Sequence, residues 1–233
     1  MQIHKFFALL LLFSSFLGIG CQKEHDSPCE QIVDSRDGEI YSVVKIGDQC
    51  WMAENLRYNA VGSTCNPDNP ASIYGRLYNW ETLMNGEASS DNHPSGVKGI
   101  CPEGWHLPSY SEWNALEIAL GLSVEDLIAS SFRGTHGIEL KSTTGWSPIV
   151  SSYGYQFDTN GTNSFCFNAF PAGRYLAGNY HHLGKMAFFA SSTENNPATS
   201  STFKGRTMSY YEDGVGNSSL AKVYSVSCRC VKD

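Results

Sequence analysis

Apolar positions crowd both sides of a polar turn between Glu39 and Met52, where Ile40-Tyr41-Ser42-Val43-Val44-Lys45-Ile46 is followed by Gly47-Asp48 and then Gln49-Cys50-Trp51-Met52. β-branched and aromatic residues on both sides of a Gly-Asp turn predict two short strands paired as a hairpin. The period then lengthens. In Tyr74–Asn85, Leu77, Trp80, Thr82, Leu83 and Met84 fall near helical spacing and Gly86 can stop the run, which predicts a helix. A sharper signal follows at Leu107-Pro108-Ser109. Proline offers no N–H and keeps Leu107 extended, while Ser109 and Glu112 have the S-x-x-E spacing of a capping box, so a helix starts at Ser109 and carries Trp113, Leu116 and Leu120 inward before Gly121. Ser123 and Asp126 predict a second short helix through about Ser130. Beyond Gly134 the chain turns to short aromatic runs broken by Gly, Asn and Pro, with strands expected over 154–157, 164–170, 186–191 and 221–226. Helices in front and strands behind give an α+β class.

The first residues obey a different rule. Lys5 precedes an apolar run from Phe6 to Leu17, then Gly18-Ile19-Gly20-Cys21, a charged start, short apolar centre and small residues before a cysteine. A membrane span needs about 20 apolar residues and this run is shorter. It resembles a bacterial lipobox, although Gly18 stands where leucine is usual, and it marks Cys21 as the lipid attachment point after a signal peptide of residues 1–20. Gln22-Lys23-Glu24-His25-Asp26 is similar to the lysine-plus-acid tags of surface-exported lipoproteins in the Bacteroidetes group. Residues 21–36 are then expected as a tether, 37–233 as one domain, and the location as the outer membrane, at the cell surface.

Charge narrows the partners. The whole chain carries 16 basic and 23 acidic side chains, net −7, and loss of Lys5 with the signal peptide makes the remainder −8. Such a balance disfavours nucleic acid and anionic headgroups. Seven cysteines besides Cys21, at 29, 50, 65, 101, 166, 228 and 230, lack C-x-x-C knuckles and in an exported chain suggest three disulfides and one free thiol, of undetermined connectivity. No cofactor is implied by any fingerprint. Asp158, Asn160 and Asn163 are spaced like the front of a calcium loop, but the closing acid is missing and an Asn-Gly turn is the simpler reading.

The segments DGEIYSVVKIGDQCWMAENLRY, YGRLYNWETLMNG, GICPEGWHLPSYSEW, LKSTTGW, FNAFPAGRY, SSTEN and RCVKD occur in an order that resembles the Fibrobacter succinogenes major paralogous domain over about 37–233. That resemblance implies a secreted or lipid-anchored protein and little chemistry. More distantly, WHLPSYSEW and Arg229-Cys230 resemble signatures of the formylglycine-generating, sulfatase-modifying fold, a variant of the C-type lectin fold, which implies two or three helices packed on short irregular antiparallel sheets. The copper-binding cysteine pair of those oxidases is absent, because its places hold Ser225 and Leu220, and neither a hydroxyl nor an alkyl chain replaces a thiolate. Because Cys101 and Cys230 lie inside the family motifs, they are expected to pair, with Cys166–Cys228 as a second, weaker pair.

Two functions remain open. One is a binding or adhesion module for a glycan or a cell-surface protein, with recognition in the loops after Arg174, where Tyr180, His181, His182, Tyr210 and Tyr211 stand among Gly, Asn and Ser. The other is a glycan-active hydrolase, which needs paired acids drawn from Glu81, Glu87, Glu112 and Glu194.

Overall fold

The computed structural model describes residues 29–68, 71–129, 131–198 and 200–233, and Cys21, the signal peptide and the tag lie outside them. The architecture is α+β, mostly short sheets with few helices. A six-stranded sheet runs in the order Leu77–Tyr78, Val226–Ser227, Met186–Glu194, Thr202–Ser209, Val215–Ala221, Phe132–Arg133. Its neighbours are antiparallel except where Phe189 faces Ser227. A second sheet of four strands orders Val43–Ile46, Gln49–Met52, Val231–Lys232 and Trp105–His106, so the chain end is held between two earlier strands.

The helix starting at Ser109 spans Tyr110–Ala119, with both arms of the capping box made: the Ser109 hydroxyl accepts from Glu112 N–H and the Glu112 carboxylate accepts from Ser109 N–H. It lies on the six-stranded sheet, and the indole of Trp113 donates to the carbonyl of Ala190 at 3.0 Å. Trp51, Trp113, Phe167 and Phe189 meet there with ring centroids 4.6–6.2 Å apart, tilted or edge-on as aromatic quadrupoles prefer. A second apolar cluster, with Tyr41, Met52, Leu56, Tyr78, Leu83, Phe203 and Val226, fills the space on the side of the Cys101–Cys230 bridge. Arg229 ties the two together. Fully buried, it donates to Asn55 Oδ1 and to the carbonyls of Met52, Phe167 and Asn168, and with neutral oxygens as its hydrogen-bond partners burial pulls its pKa down to about 9.

Several expectations are corrected. The run 74–85 is not one helix: Leu77–Tyr78 pairs with Val226–Ser227, and the helix starts only after Asn79, whose side chain caps Thr82 N–H, to span Trp80–Met84. Sheet pairing and a local cap override spacing here. The segment from Ser123 forms a 3-10 turn, Glu125–Ile128. No strand forms over 164–170, because Cys166 and Asn168 have positive φ, which breaks extension. Conversely, one helical turn, Gly137–Leu140, occurs beyond Gly134. Residues 29–36 are not tether but part of the fold: Cys29 is bonded to Cys50, Ile32 is 9 % exposed, and Ile32–Val33 pairs with Ile40–Tyr41. Cys101 is bonded to Cys230, but Cys228 remains a thiol, so the Cys166–Cys228 pair does not form; Cys228 points into the core beside the bridge, 3.9 Å from Cys230 Sγ. Among the described residues two thiols are free, Cys65 and Cys228.

Candidate functional site

The turns at one end of the long strands bring most of the expected recognition residues together. Thr202–Ser209 ends at Tyr210, whose N–H donates to the carbonyl of Lys185, and Lys185 N–H in turn donates to the carbonyl of His182. The 182–185 turn and the Tyr210–Tyr211 turn are therefore neighbours. Tyr210 and Tyr211 stand edge to face at 5.2 Å, and Tyr211 is 56 % exposed. Beneath them Lys141 is buried, with its ammonium donating to the carbonyl of Glu212 at 2.7 Å and lying 5.0 Å from the Trp146 ring. Burial lowers its pKa to about 8.

His181 and His182 are exposed, with ring centroids 6.4 Å apart. Burial, Arg174, His181 and Lys185 all lower the pKa of His182, so near neutral pH it is an uncharged hydrogen-bonding ring. Tyr180 does not join this face. It is half-buried, its hydroxyl donates to the carbonyl of Cys65 at 2.5 Å and meets Thr64 Oγ1 at 2.6 Å, and its ring packs 5.0 Å from Tyr175. Alternation within the strand Asn179–His181 turns Tyr180 inward and His181 outward, so Tyr180 acts as a structural tack.

The sequence reading missed the adjoining hairpin. Ile149–Val150 pairs with Gln156–Phe157, and this hairpin bears Tyr153 at 87 %, Tyr155 at 69 %, Val150 at 58 % and Phe157 at 55 % exposure. Its base is clamped by Thr159 Oγ1 donating to the carbonyl of Ser147, and Ser147 N–H donates to the carbonyl of Gly184 at 2.7 Å. That close approach needs glycine: Gly184 has φ +71°, and a Cβ there would lie 2.6 Å from Ser147 Oγ. The base of the hairpin, the 182–185 turn and the Tyr210–Tyr211 turn are thus linked through backbone hydrogen bonds. The available signal was compositional, since no charged side chain lies between Lys141 and Asp158 in a strongly acidic chain. It was read as strand because alternation reports pairing and not which face is covered.

The calcium spacing resolves as turn structure. Asp158 Oδ1 accepts from both Asn160 N–H and its amide, Asn160 Oδ1 accepts from Trp146 N–H, and Asn163 Oδ1 accepts from Asn168 N–H. These oxygens support backbone rather than point to one centre. The four acids considered for hydrolysis have different surroundings. Glu112 is buried in the helix cap and against His106, Glu87 accepts from Lys98 and Gly99 N–H, Glu194 pairs with Lys222, and Glu81 lines an open cleft of about 820 Å³ with Arg36, Tyr58, Lys98 and Glu103. Within that cleft Lys98 pairs with Glu103, and Arg36 with Asp34.

Residues 44–232 match the model of the Fibrobacter succinogenes major domain. The chain belongs to that family. No curated protein and no solved structure matches it. Within the matched region Trp51, Trp105 and Trp113 are buried, and Arg229 joins the two clusters. The exposed aromatic residues lie apart from these contacts, on the hairpin and turns.

Proposed function

We propose that this chain is a lipid-anchored, surface-exposed binding or adhesion module of C-type-lectin-like architecture, whose ligand is a neutral glycan taken at the aromatic face. The observation that carries this reading is the hairpin Ile149–Phe157, which exposes Tyr153, Tyr155 and Phe157 and whose base is hydrogen-bonded to the 182–185 turn that carries His182. Contiguous exposed apolar side chains of this kind mark interaction surfaces. Flat aromatic rings offer a broad stacking area with little rotamer entropy to lose, and Ser151, Ser152, Gln156 and the tyrosine hydroxyls add hydrogen bonds without charge. The exposed rings and hydroxyls of the hairpin, on an acidic body, suit a polyhydroxylated ligand better than a phosphate or sulfate polymer. The anchor at Cys21 would hold this face at the membrane surface. Glu87, Glu112 and Glu194 are each engaged by backbone donors, His106 or Lys222, which favours structural roles for them and binding over hydrolysis.

The test is binding of the full chain in detergent to an array of neutral and acidic glycans, alongside the variant Tyr153→Ser/Tyr155→Ser/Phe157→Ser. Retention on neutral glycans, lost in the variant while the melting temperature changes by a few degrees at most, supports the reading. Capture of a protein but no glycan, or undiminished glycan binding by the folded variant, overturns it.

A further inference from the structure

The Sγ atoms of Cys101, Cys228 and Cys230 all lie within 4.8 Å of one another, and all three residues are fully buried. Two of them form the bridge, and Cys228 is a thiol. Cys228 and Cys230 are two positions apart on one extended segment, so both face Cys101, whereas Arg229 between them points to the carbonyls of Phe167 and Asn168. The geometry points to an exchangeable lock, in which Cys101 accepts either Cys230 or Cys228 as its disulfide partner.

The exchange is balanced without an oxidant or a reductant. Cys228 loses its proton, the thiolate attacks Cys101 Sγ, the Cys101–Cys230 bond breaks as the Cys101–Cys228 bond forms, and Cys230 leaves as a thiolate that takes up the proton. The loop closed by the new bond is shorter by two residues, so the chain entropy removed from the unfolded state hardly changes. What changes is the chain end. With Cys230 bonded, Val231–Lys232 is held between Gln49–Met52 and Trp105–His106, and Asp233 contacts His106. With Cys228 bonded instead, that central strand loses its covalent tie and is kept only by its short ladder. Burial raises the Cys228 thiol to about 12, which makes the exchange slow in the closed fold and confines it to openings of the terminal strand.

The test is peptide mapping of Cys230→Ala after alkylation under non-reducing conditions. A Cys101–Cys228 linked peptide in most of the protein is expected, and folded Cys230→Ala in which Cys101 and Cys228 are both alkylated overturns the proposal. Should that variant fail to fold, wild-type protein is incubated with catalytic glutathione at alkaline pH and quenched with acid. A Cys101–Cys228 peptide must then appear together with alkylated Cys230, and must be missing in Cys228→Ser. Its absence from the wild type after equilibration overturns the proposal equally.

Discussion

His106 Nε2 lies 2.7 Å from Glu112 Oε1, both side chains being essentially inaccessible to solvent. The other carboxylate oxygen of Glu112 accepts from the N–H groups of Ser109 and Ser95, so one acid serves the helix cap, the preceding loop and the strand Trp105–His106. On its far side His106 reaches Asp233 Oδ1, also at 2.7 Å, which ties the chain terminus to the same point.

This pair gives stability a pH window. Burial opposes the charge on His106, but Glu112 and then Asp233 outweigh it and raise its pKa, so its contribution is complete below about 6.5 and fades as pH rises through the higher folded-state value. Burial likewise opposes ionisation of Glu112, yet His106 and the two backbone donors lower its pKa, so its contribution is present above about 4.5 and is lost as pH falls through the lower folded-state value. Melting temperature measured against pH is expected to peak between these limits. His106→Gln should flatten the alkaline side and cost about 3 kcal/mol or more, the usual effect of stranding a buried charge. Asp233→Asn, at an exposed partner, should change little.

Glu117 places one carboxylate between two buried guanidinium groups. Its Oε1 accepts from Arg133 at 2.7 Å and Arg206 at 2.5 Å, and Oε2 lies 3.3 Å from His136. Glu117→Gln keeps the shape and removes the charge, leaving two cations facing each other in the interior. Urea unfolding should show a loss of about 3–5 kcal/mol. A loss below about 1 kcal/mol would mean that the arginines find other partners on relaxation, and this account of the network would fail.

How much of this was legible depends on how local the cause is. Ser109 and Glu112 wrote their helix start into four residues, and the hairpin Val43–Met52 was visible from β-branched and aromatic residues around Gly47-Asp48. The same Glu112 hid its contact to His106, and Glu117 looked like one more residue on a helix stripe, because ion pairs with Arg133 and Arg206 depend on tertiary approach. The strands Thr202–Ser209 and Val215–Ala221 escaped notice, since Lys204, Gly205, Arg206, Asn217 and Ser218 break any apolar alternation; they are strands because they pair, not because they are greasy. Of the residues expected to recognise a ligand, His181, His182, Tyr210 and Tyr211 are found at one end of the long strands, whereas Tyr180 is turned inward by the strand it sits on.

Tyr180 and the hairpin residues should therefore separate cleanly. Tyr180→Phe removes hydrogen bonds to Cys65 and Thr64 without changing the ring, and is expected to cost about 1 kcal/mol in thermal or chemical unfolding while leaving ligand binding intact. Tyr211→Ser, at an exposed position, should do the reverse, with stability within about 0.5 kcal/mol of wild type and weakened binding. Loss of binding in Tyr180→Phe would return that residue to the recognition face.

Arg229 offers the strictest test of how the interior is assembled. Its guanidinium uses three nitrogens to serve Asn55, Met52, Phe167 and Asn168, oxygens that arrive from two separate parts of the chain, and its carbon stands 4.5 Å from the Phe167 ring centroid. A lysine keeps the charge but presents a single ammonium that cannot span this fork, so some of the four oxygens would be left buried without a donor. Hydrogen bonds from charged groups contribute about 1.5–3 kcal/mol each. Arg229→Lys should accordingly lose about 3 kcal/mol or more and loosen the 167–168 segment. The looser segment should show as faster amide hydrogen exchange around Phe167 and Asn168 than in the wild type. Near-native stability with unchanged exchange there would show that the fork geometry is dispensable, and that Arg229 acts only as a buried point charge.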